Sequence, residues 1–136
     1  MPSSYSLPEL LKKEIGAFAK AKGLPSREWT IFECSGTAAG EKTAWSLMVP
    51  GATLAIVGFT LEPVEVRLAN LMALDARAIG NWGCDPKLYP EILDWVLSGK
   101  IDVVGNTLLF PLSRAETALE EVRAHRATRR LVLTPD

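Results

Sequence analysis

An unbroken apolar run, ATLAIVGF at residues 52–59, constrains the fold of this chain more than any other feature. It follows a Pro-Gly pair, and Thr53 carries its only polar side chain. Strands that read as continuous apolar runs are typically covered on both faces, as in a parallel sheet, whereas strands with one face in water alternate. The run therefore predicts a strand inside a parallel sheet.

Two further strand-like runs lie at residues 29–34 and 76–83. A segment of helical length separates the first of them from the apolar run, and a mixed segment at 64–74, helix or turn, separates the second. A capping box that begins at Ser6 precedes apolar residues at helical spacing, and residues 37–48 have helical length. Asp85, followed by proline, is typical of the start of a further helix. Strands that alternate with helices predict an α/β fold with a doubly wound parallel sheet.

The pattern changes after residue 100, where we expect the chain to leave this sheet. Two short strand-like runs, 101–104 and 107–111, flank a Gly-Asn pair. A second capping box begins at Ser113, and a final strand is expected over residues 130–134. The sequence thus predicts two parts, residues 1–100 and 101–136.

Composition and charge exclude several classes of function. The 136 residues carry 15 Lys and Arg against 16 Asp and Glu, a net charge of −1, which does not favour binding to nucleic acid. The longest apolar run is too short to cross a bilayer. Two cysteines favour the reducing cytoplasm over a disulfide framework. We therefore expect a soluble cytoplasmic protein without a nucleic-acid or membrane partner.

The residues provide little catalytic or metal-binding chemistry. Neither G-x-G-x-x-G nor G-x-x-x-x-G-K-[ST] occurs, and no pair of cysteines or histidines has zinc-ligand spacing. Cys34 has no histidine at a spacing that indicates a thiolate, so it is interpreted as a small buried or pocket-lining residue. Glu33 is interpreted as a polar strand-end residue that meets water. We predict no catalytic residue and no metal ligand on this chain.

Three predicted strands end in similar glycine-bearing sequences: ECSG at 33–36, VGFT at 57–60 and GNWG at 80–83. Parallel strands would present these ends on one edge of the sheet. A flat ligand could lie there against the backbone, because glycine permits close approach. Turn geometry alone explains such glycines equally well, and the sequence leaves both interpretations open.

The chain resembles the distal half of the cofactor domain of the zinc-type medium-chain alcohol dehydrogenases. The matching pieces are IFECSGT, PGATLAIVGFT, RLANLMALDARAIGNWGC, ILDWVLSGKI and FPLSRAETALEEVRAHRATRRLVLTP. Within the family, the stretch VGFTLEPVEVRLANLMALDARAIGNWGC is most similar to the branch that oxidises 6-hydroxycyclohex-1-ene-1-carbonyl-CoA. The resemblance implies that residues 1–100 form a partial nucleotide-binding, Rossmann-like domain, and that residues 101–136 are a closing segment that returns to the catalytic domain.

The resemblance also implies a set of cofactor contacts. Three strand ends match positions that line the nicotinamide half of NAD(P), and Arg130, or Arg129 if the alignment slips by one, matches an arginine that reaches the pyrophosphate. The expected cofactor-binding residues are Cys34, Ser35, Gly36, Val57, Gly58, Phe59, Asn81, Trp82 and Arg130. An alcohol would be the substrate of the parent enzyme, and zinc would be held by ligands outside this chain.

The family's catalytic domain, first cofactor strand and glycine-rich turn have no match here. We therefore expect a fragment of a nicotinamide-dependent alcohol dehydrogenase that is inactive alone, and Met1-Pro-Ser-Ser reads as the start of a truncated frame. In dimeric relatives the strand at 76–83 pairs with its two-fold mate, so we expect homo-oligomers through this edge. The alternative is a free-standing, non-catalytic association module.

Overall fold

The computed structural model describes residues 7–136, so the capping box predicted at Ser6 lies outside the described residues. The chain divides into two compact units, one up to Gly83 and the other Cys84–Asp136. Each unit has its own parallel sheet. The functional boundary expected at residue 100 stays a prediction.

The first unit is built on a three-stranded parallel sheet in the order β1-β2-β3. β1 is Thr30–Glu33, β2 is Thr53–Ile56 and β3 is Arg77–Gly80. β2 lies in the middle, with Leu54 and Ala55 buried. The continuous apolar run therefore forms the central strand, as its pattern predicted.

Three helices connect or precede these strands. α1 is Leu7–Ala21, α2 is Ala38–Ser46 and α3 is Ala69–Ala73. The Thr37 side chain caps α2 by accepting from the Gly40 amide over 3.0 Å. At the other end of α2, the Lys12 ammonium of α1 donates to the carbonyl oxygens of Ser46 and Met48. A cation at this end also complements the helix dipole.

The core of the first unit lies between α2 and β2. Met48 and Ala52 are fully buried there. Half-buried residues of β1, β2 and α2, together with the segment around α3, complete the packing: Trp29, Ile31, Trp45, Ile56, Leu71, Leu74 and Ala76. The apolar stripe of α1 forms a helix as predicted, but Leu10 and Phe18 remain exposed among the described residues.

The second unit contains α4, Tyr89–Leu97, and α5, Ala115–Arg123, with β4, Thr107–Pro111, and β5, Arg130–Thr134. β4 and β5 pair in parallel, and short 3₁₀ turns, Pro86–Leu88 and Leu112–Arg114, precede the two helices. The predicted bounds of β5 are confirmed.

Two local predictions for this unit are wrong. Residues 101–104 form no strand; there the Asp102 carboxylate accepts from the Gly105 amide and closes a turn. Ser113 forms no capping box, because its hydroxyl donates to the Asp136 carboxylate over 2.9 Å and α5 begins after Arg114 without a side-chain cap. In both places a side chain forms a hydrogen bond that the local sequence pattern did not indicate.

Candidate cofactor-binding site

A buried carboxylate organises the turn that follows β1. Only 4% of Glu33 is exposed. Its Oε1 accepts from the Ser35 amide over 2.8 Å and from the Ser35 hydroxyl. Glu33 ends β1, as predicted, but the prediction that it meets water is wrong, because the side chain folds back under its own turn. A carboxylate two residues before a serine was the available signal, since such side chains often bond to nearby backbone.

The ends of β1 and β2 are held together through backbone contacts. The amides of Val57 and Gly58 both donate to the Glu33 carbonyl oxygen, over 2.9 and 2.8 Å. A Cβ built on Gly36 would lie 2.9 Å from the Phe59 carbonyl oxygen. A Cβ on Gly58 would overlap the Gly36 nitrogen and lie 2.5 Å from Glu33 Oε2. These two glycines are thus required by close approach of the two strand ends to each other.

The end of β3 lies beside the end of β2 but is far more open. The Asn81 amide donates to the Ile56 carbonyl oxygen over 2.9 Å, which continues the sheet by one residue. Trp82 is 96% exposed. A Cβ on Gly80 or Gly83 would meet no atom within 4 Å, and the φ of Gly83 is +80°. Turn geometry explains Gly83, whereas close packing explains the glycines of the other two strand ends.

The structure therefore brings eight of the nine predicted contact residues to one edge of the first sheet. Cys34 is exposed, so of the two places expected for it, buried or pocket-lining, the burial is wrong. With Ser35 it lines an open depression of about 370 Å³ beside α2. Phe59 is 73% exposed. The edge offers exposed backbone, one thiol and two aromatic rings, those of Phe59 and Trp82.

Arg130, the ninth predicted residue, lies in the second unit. It is the first residue of β5, and its amide donates to the Asn106 carbonyl oxygen over 3.0 Å. Arg130 is exposed and lines an open depression together with Arg129 and His125. Its side chain is thus accessible to an anion within its own unit.

The side chains of residues 7–136 were also considered as metal ligands. No group of three or more His, Cys, Asp or Glu side chains among residues 7–136 could hold a metal ion. Both cysteines are free thiols. None of the described helices is long and apolar enough to cross a membrane.

The chain was compared with protein families, curated proteins and solved structures. No protein-family model matches the chain. Over 73 residues the chain is 33% identical to a putative D-xylulose reductase from Rhizobium meliloti (strain 1021). This match covers 54% of the chain and 21% of the reductase.

Solved structures match most of the chain. A zinc-dependent alcohol dehydrogenase 2 from Streptococcus pneumonia matches with a TM-score of 0.79 and 23% identity, over 96% of this chain and 37% of that protein. The fold is that of part of an alcohol dehydrogenase. Galactitol-1-phosphate dehydrogenase from Escherichia coli matches with a TM-score of 0.70 and 14% identity, over 91% of this chain and 38% of its own.

These matches confirm the resemblance to the zinc-type medium-chain alcohol dehydrogenases and the Rossmann-like fold. A further match is a protein described as a short chain alcohol dehydrogenase, from E. coli CFT073, solved with NADH. It has a TM-score of 0.66 and 20% identity, over 88% of this chain and 35% of that protein. The chain spans about a fifth of the curated relative and little more than a third of these solved proteins. The comparisons thus show the fold that this chain shares with part of each of these proteins.

Proposed function

We propose that this chain forms the nicotinamide-side wall of the cofactor site of an NAD(P)-dependent alcohol dehydrogenase. The observation that supports the proposal is the contact between the ends of β1 and β2, where Gly36 and Gly58 let two backbones approach without side chains between them. A Cβ at either glycine would point into the other strand end, so the two ends form one continuous backbone surface, against which a flat ring could lie. Open α/β sheets bind ligands outside the carboxyl ends of their strands.

The residues present fit the nicotinamide half of the cofactor. The backbone of Ser35 and of the half-buried Gly36 and Gly58 would face the ring, while Phe59 and Trp82 would limit its movement. The remaining contacts in the first unit would come from Cys34, Val57 and Asn81. Arg130, in the second unit, is proposed as a pyrophosphate contact on the sequence resemblance alone. When bound, NAD(P) supplies hydride transfer, and these residues orient its ring and exclude water.

We propose that residues outside this sequence complete the site. The sequence contains no glycine-rich phosphate loop, and the described residues contain no zinc-ligand group. We therefore expect the chain to be inactive alone, as a cytoplasmic fragment of the parent enzyme. On the sequence resemblance, the substrate class is an alcohol, and the narrower proposal is a cyclic hydroxyacyl-CoA.

A second function, association through β3, has its own supporting observation. All four residues of β3 are exposed, and within residues 7–136 one edge of the strand is unpaired. Ile79 lies on this edge and Trp82 follows it. An exposed, apolar edge strand is a template for pairing with a second copy. We propose homo-oligomers through residues 76–83, either in the parent enzyme or as a non-catalytic module.

Reduced nicotinamide mononucleotide tests the first proposal directly, because it carries the ring and lacks the adenosine half that the phosphate loop would bind. In an NMR titration of the chain at millimolar ligand, we expect the amide shifts within the first unit to be confined to residues 34–36, 57–59 and 81–82. Adenosine monophosphate is the matched ligand without the nicotinamide ring and should leave these signals unchanged.

The variant Phe59→Ala should weaken the titration several-fold, since it removes an exposed ring at the proposed wall. Leu61→Ala is the control, because Leu61 is also exposed but lies beyond the strand end. Shifts elsewhere in the first unit, equal shifts with adenosine monophosphate at the three strand ends, or no shifts there at all would overturn the proposal. Light scattering of the same sample reports the association proposed for β3 and is scored separately.

A further inference from the structure

Glu33 is the only charged residue at the three strand ends that form the proposed cofactor wall. The sequences of these ends are ECSG at 33–36, VGFT at 57–60 and GNWG at 80–83. Their other side chains are apolar, or polar and uncharged. The electrostatic character of the three ends therefore depends on one carboxylate.

The Glu33 carboxylate lies directly behind the backbone of Gly58. A Cβ built on Gly58 would lie 2.5 Å from Glu33 Oε2 and would overlap the Gly36 nitrogen. Oε2 is buried and has no hydrogen-bond partner among the described residues. Because Gly36 and Gly58 are themselves only half-buried, one layer of backbone separates the carboxylate from the surface that these two glycines form.

The negative charge of Glu33 is only partly compensated within the first unit. Glu33 forms no ion pair with a lysine or arginine of the described residues. Its Oε1 accepts from the Ser35 amide and hydroxyl, and it lies beside Gly40 in the first turn of α2. The positive end of a helix dipole carries about half an elementary charge, so part of the carboxylate charge remains. Burial also limits the screening of this charge by salt.

We propose that Glu33 makes the cofactor wall selective for the oxidised, cationic form of the nicotinamide ring. This inference rests on the proposed function, since it requires the ring to lie against Gly36 and Gly58. The oxidised ring carries a positive charge and the reduced ring is neutral, so only the oxidised form is attracted by a carboxylate behind the backbone. Opposite unit charges one backbone layer apart, at an effective dielectric constant of about 20, lower a dissociation constant by roughly tenfold or more.

Oxidised and reduced nicotinamide mononucleotide test this selectivity, because they share the ribose and the phosphate and differ mainly in the charge of the ring. In NMR titrations of the whole chain, followed at the amides of residues 34–36 and 57–59, the wild type should bind the oxidised form about tenfold more tightly. Equal affinities, or tighter binding of the reduced form, would overturn this inference and leave the proposed function intact. If neither form binds, the proposed cofactor wall is wrong and this inference fails with it.

Glu33→Gln removes the charge and keeps the size of the side chain. It should weaken binding of the oxidised form about tenfold and change binding of the reduced form by less than about twofold, because the neutral ring does not sense the charge. Glu62→Gln removes the same charge from an exposed residue beyond the end of β2 and should leave both affinities unchanged. A preference for the oxidised form that persists in folded Glu33→Gln would overturn the inference.

Ser35→Ala separates the charge of Glu33 from its role in shaping the turn. This variant loses the hydroxyl that donates to Oε1 and keeps the carboxylate. A looser turn should weaken both forms of the ligand by the same factor, so the ratio of the two dissociation constants should remain that of the wild type. Loss of the preference in Ser35→Ala would show that the shape of the turn sets the selectivity and would overturn the inference. The wild-type ratio and this variant keep the test decisive if Glu33→Gln fails to fold.

Discussion

The ends of β1 and β2 and the end of β3 look alike in sequence but differ in the structure. At the first two, the backbones are in contact, Gly36 and Gly58 leave no room for a Cβ, and a buried carboxylate closes the turn. At β3, both glycines lie in open space and Trp82 projects outward. The first region thus has a backbone shape fixed by contact, which suits a cofactor wall. The second presents an exposed apolar surface, which suits an association edge.

Gly58→Ala should give the largest effect on this comparison. The new Cβ would meet backbone of Gly36 and the Glu33 carboxylate, and overpacking of this kind costs about 3 kcal/mol. Gly80→Ala is the matched variant in the open region, where we expect a change below about 0.5 kcal/mol. Urea unfolding of both variants measures the difference in the free energy of unfolding. Equal destabilisation would contradict the contrast between the two regions.

Ser35→Ala should have the next largest effect, because it removes the hydroxyl that donates to Glu33. Loss of one partner of a buried carboxylate should lower the free energy of unfolding by about 1–2 kcal/mol. Ser98→Ala, which removes an exposed hydroxyl bond to the Trp95 carbonyl oxygen, should cost only a few tenths of a kcal/mol. If thermal unfolding shows the two variants to be alike, the buried bond does not stabilise the turn.

Ile79→Lys tests the other half of the comparison. A lysine on an exposed edge strand disfavours pairing with a second strand, so the dissociation constant of any dimer should rise about tenfold or more. The stability of the separated chain should not change, because Ile79 is exposed. Light scattering across a dilution series measures the shift, and Leu61→Lys serves as the control. An unchanged oligomeric state in Ile79→Lys would place the interface elsewhere.

The smallest effect is expected in the second unit. The Arg126 guanidinium donates to the Glu121 carboxylate over 2.8 Å and lowers the pKa of Glu121 below its ordinary value of 4.5. A lowered pKa in the folded state stabilises the protein above the unfolded-state pKa, and this contribution disappears as the pH falls through the folded-state pKa. The Tm difference between the wild type and Arg126→Gln should therefore be present at neutral pH and absent in strong acid. A difference that persists in acid would exclude the ion pair as its cause.

Much of the secondary structure could be predicted because it depends on neighbouring residues. The central position of β2 follows from its apolar run, and the bounds of β5 agree with the predicted range. The start of α2 after Thr37 is likewise a local effect. The prediction at Ser113 was wrong because a distant partner intervened, a carboxylate 23 residues away. The strand predicted at residues 101–104 was wrong for a local reason, the bond between Asp102 and the Gly105 amide.

The sequence by itself determined the alternation of helices and strands in the first unit, its parallel sheet and the family that the chain resembles, because periodicity and short motifs carry that information. Only the tertiary structure decided why the glycines are there and what Glu33 does. Gly58 is needed because Gly36 and Glu33, more than 20 residues earlier, fold against it. Burial of the Glu33 carboxylate likewise depends on α2 and on the end of β2. Such contacts exist only once the strands have been brought side by side.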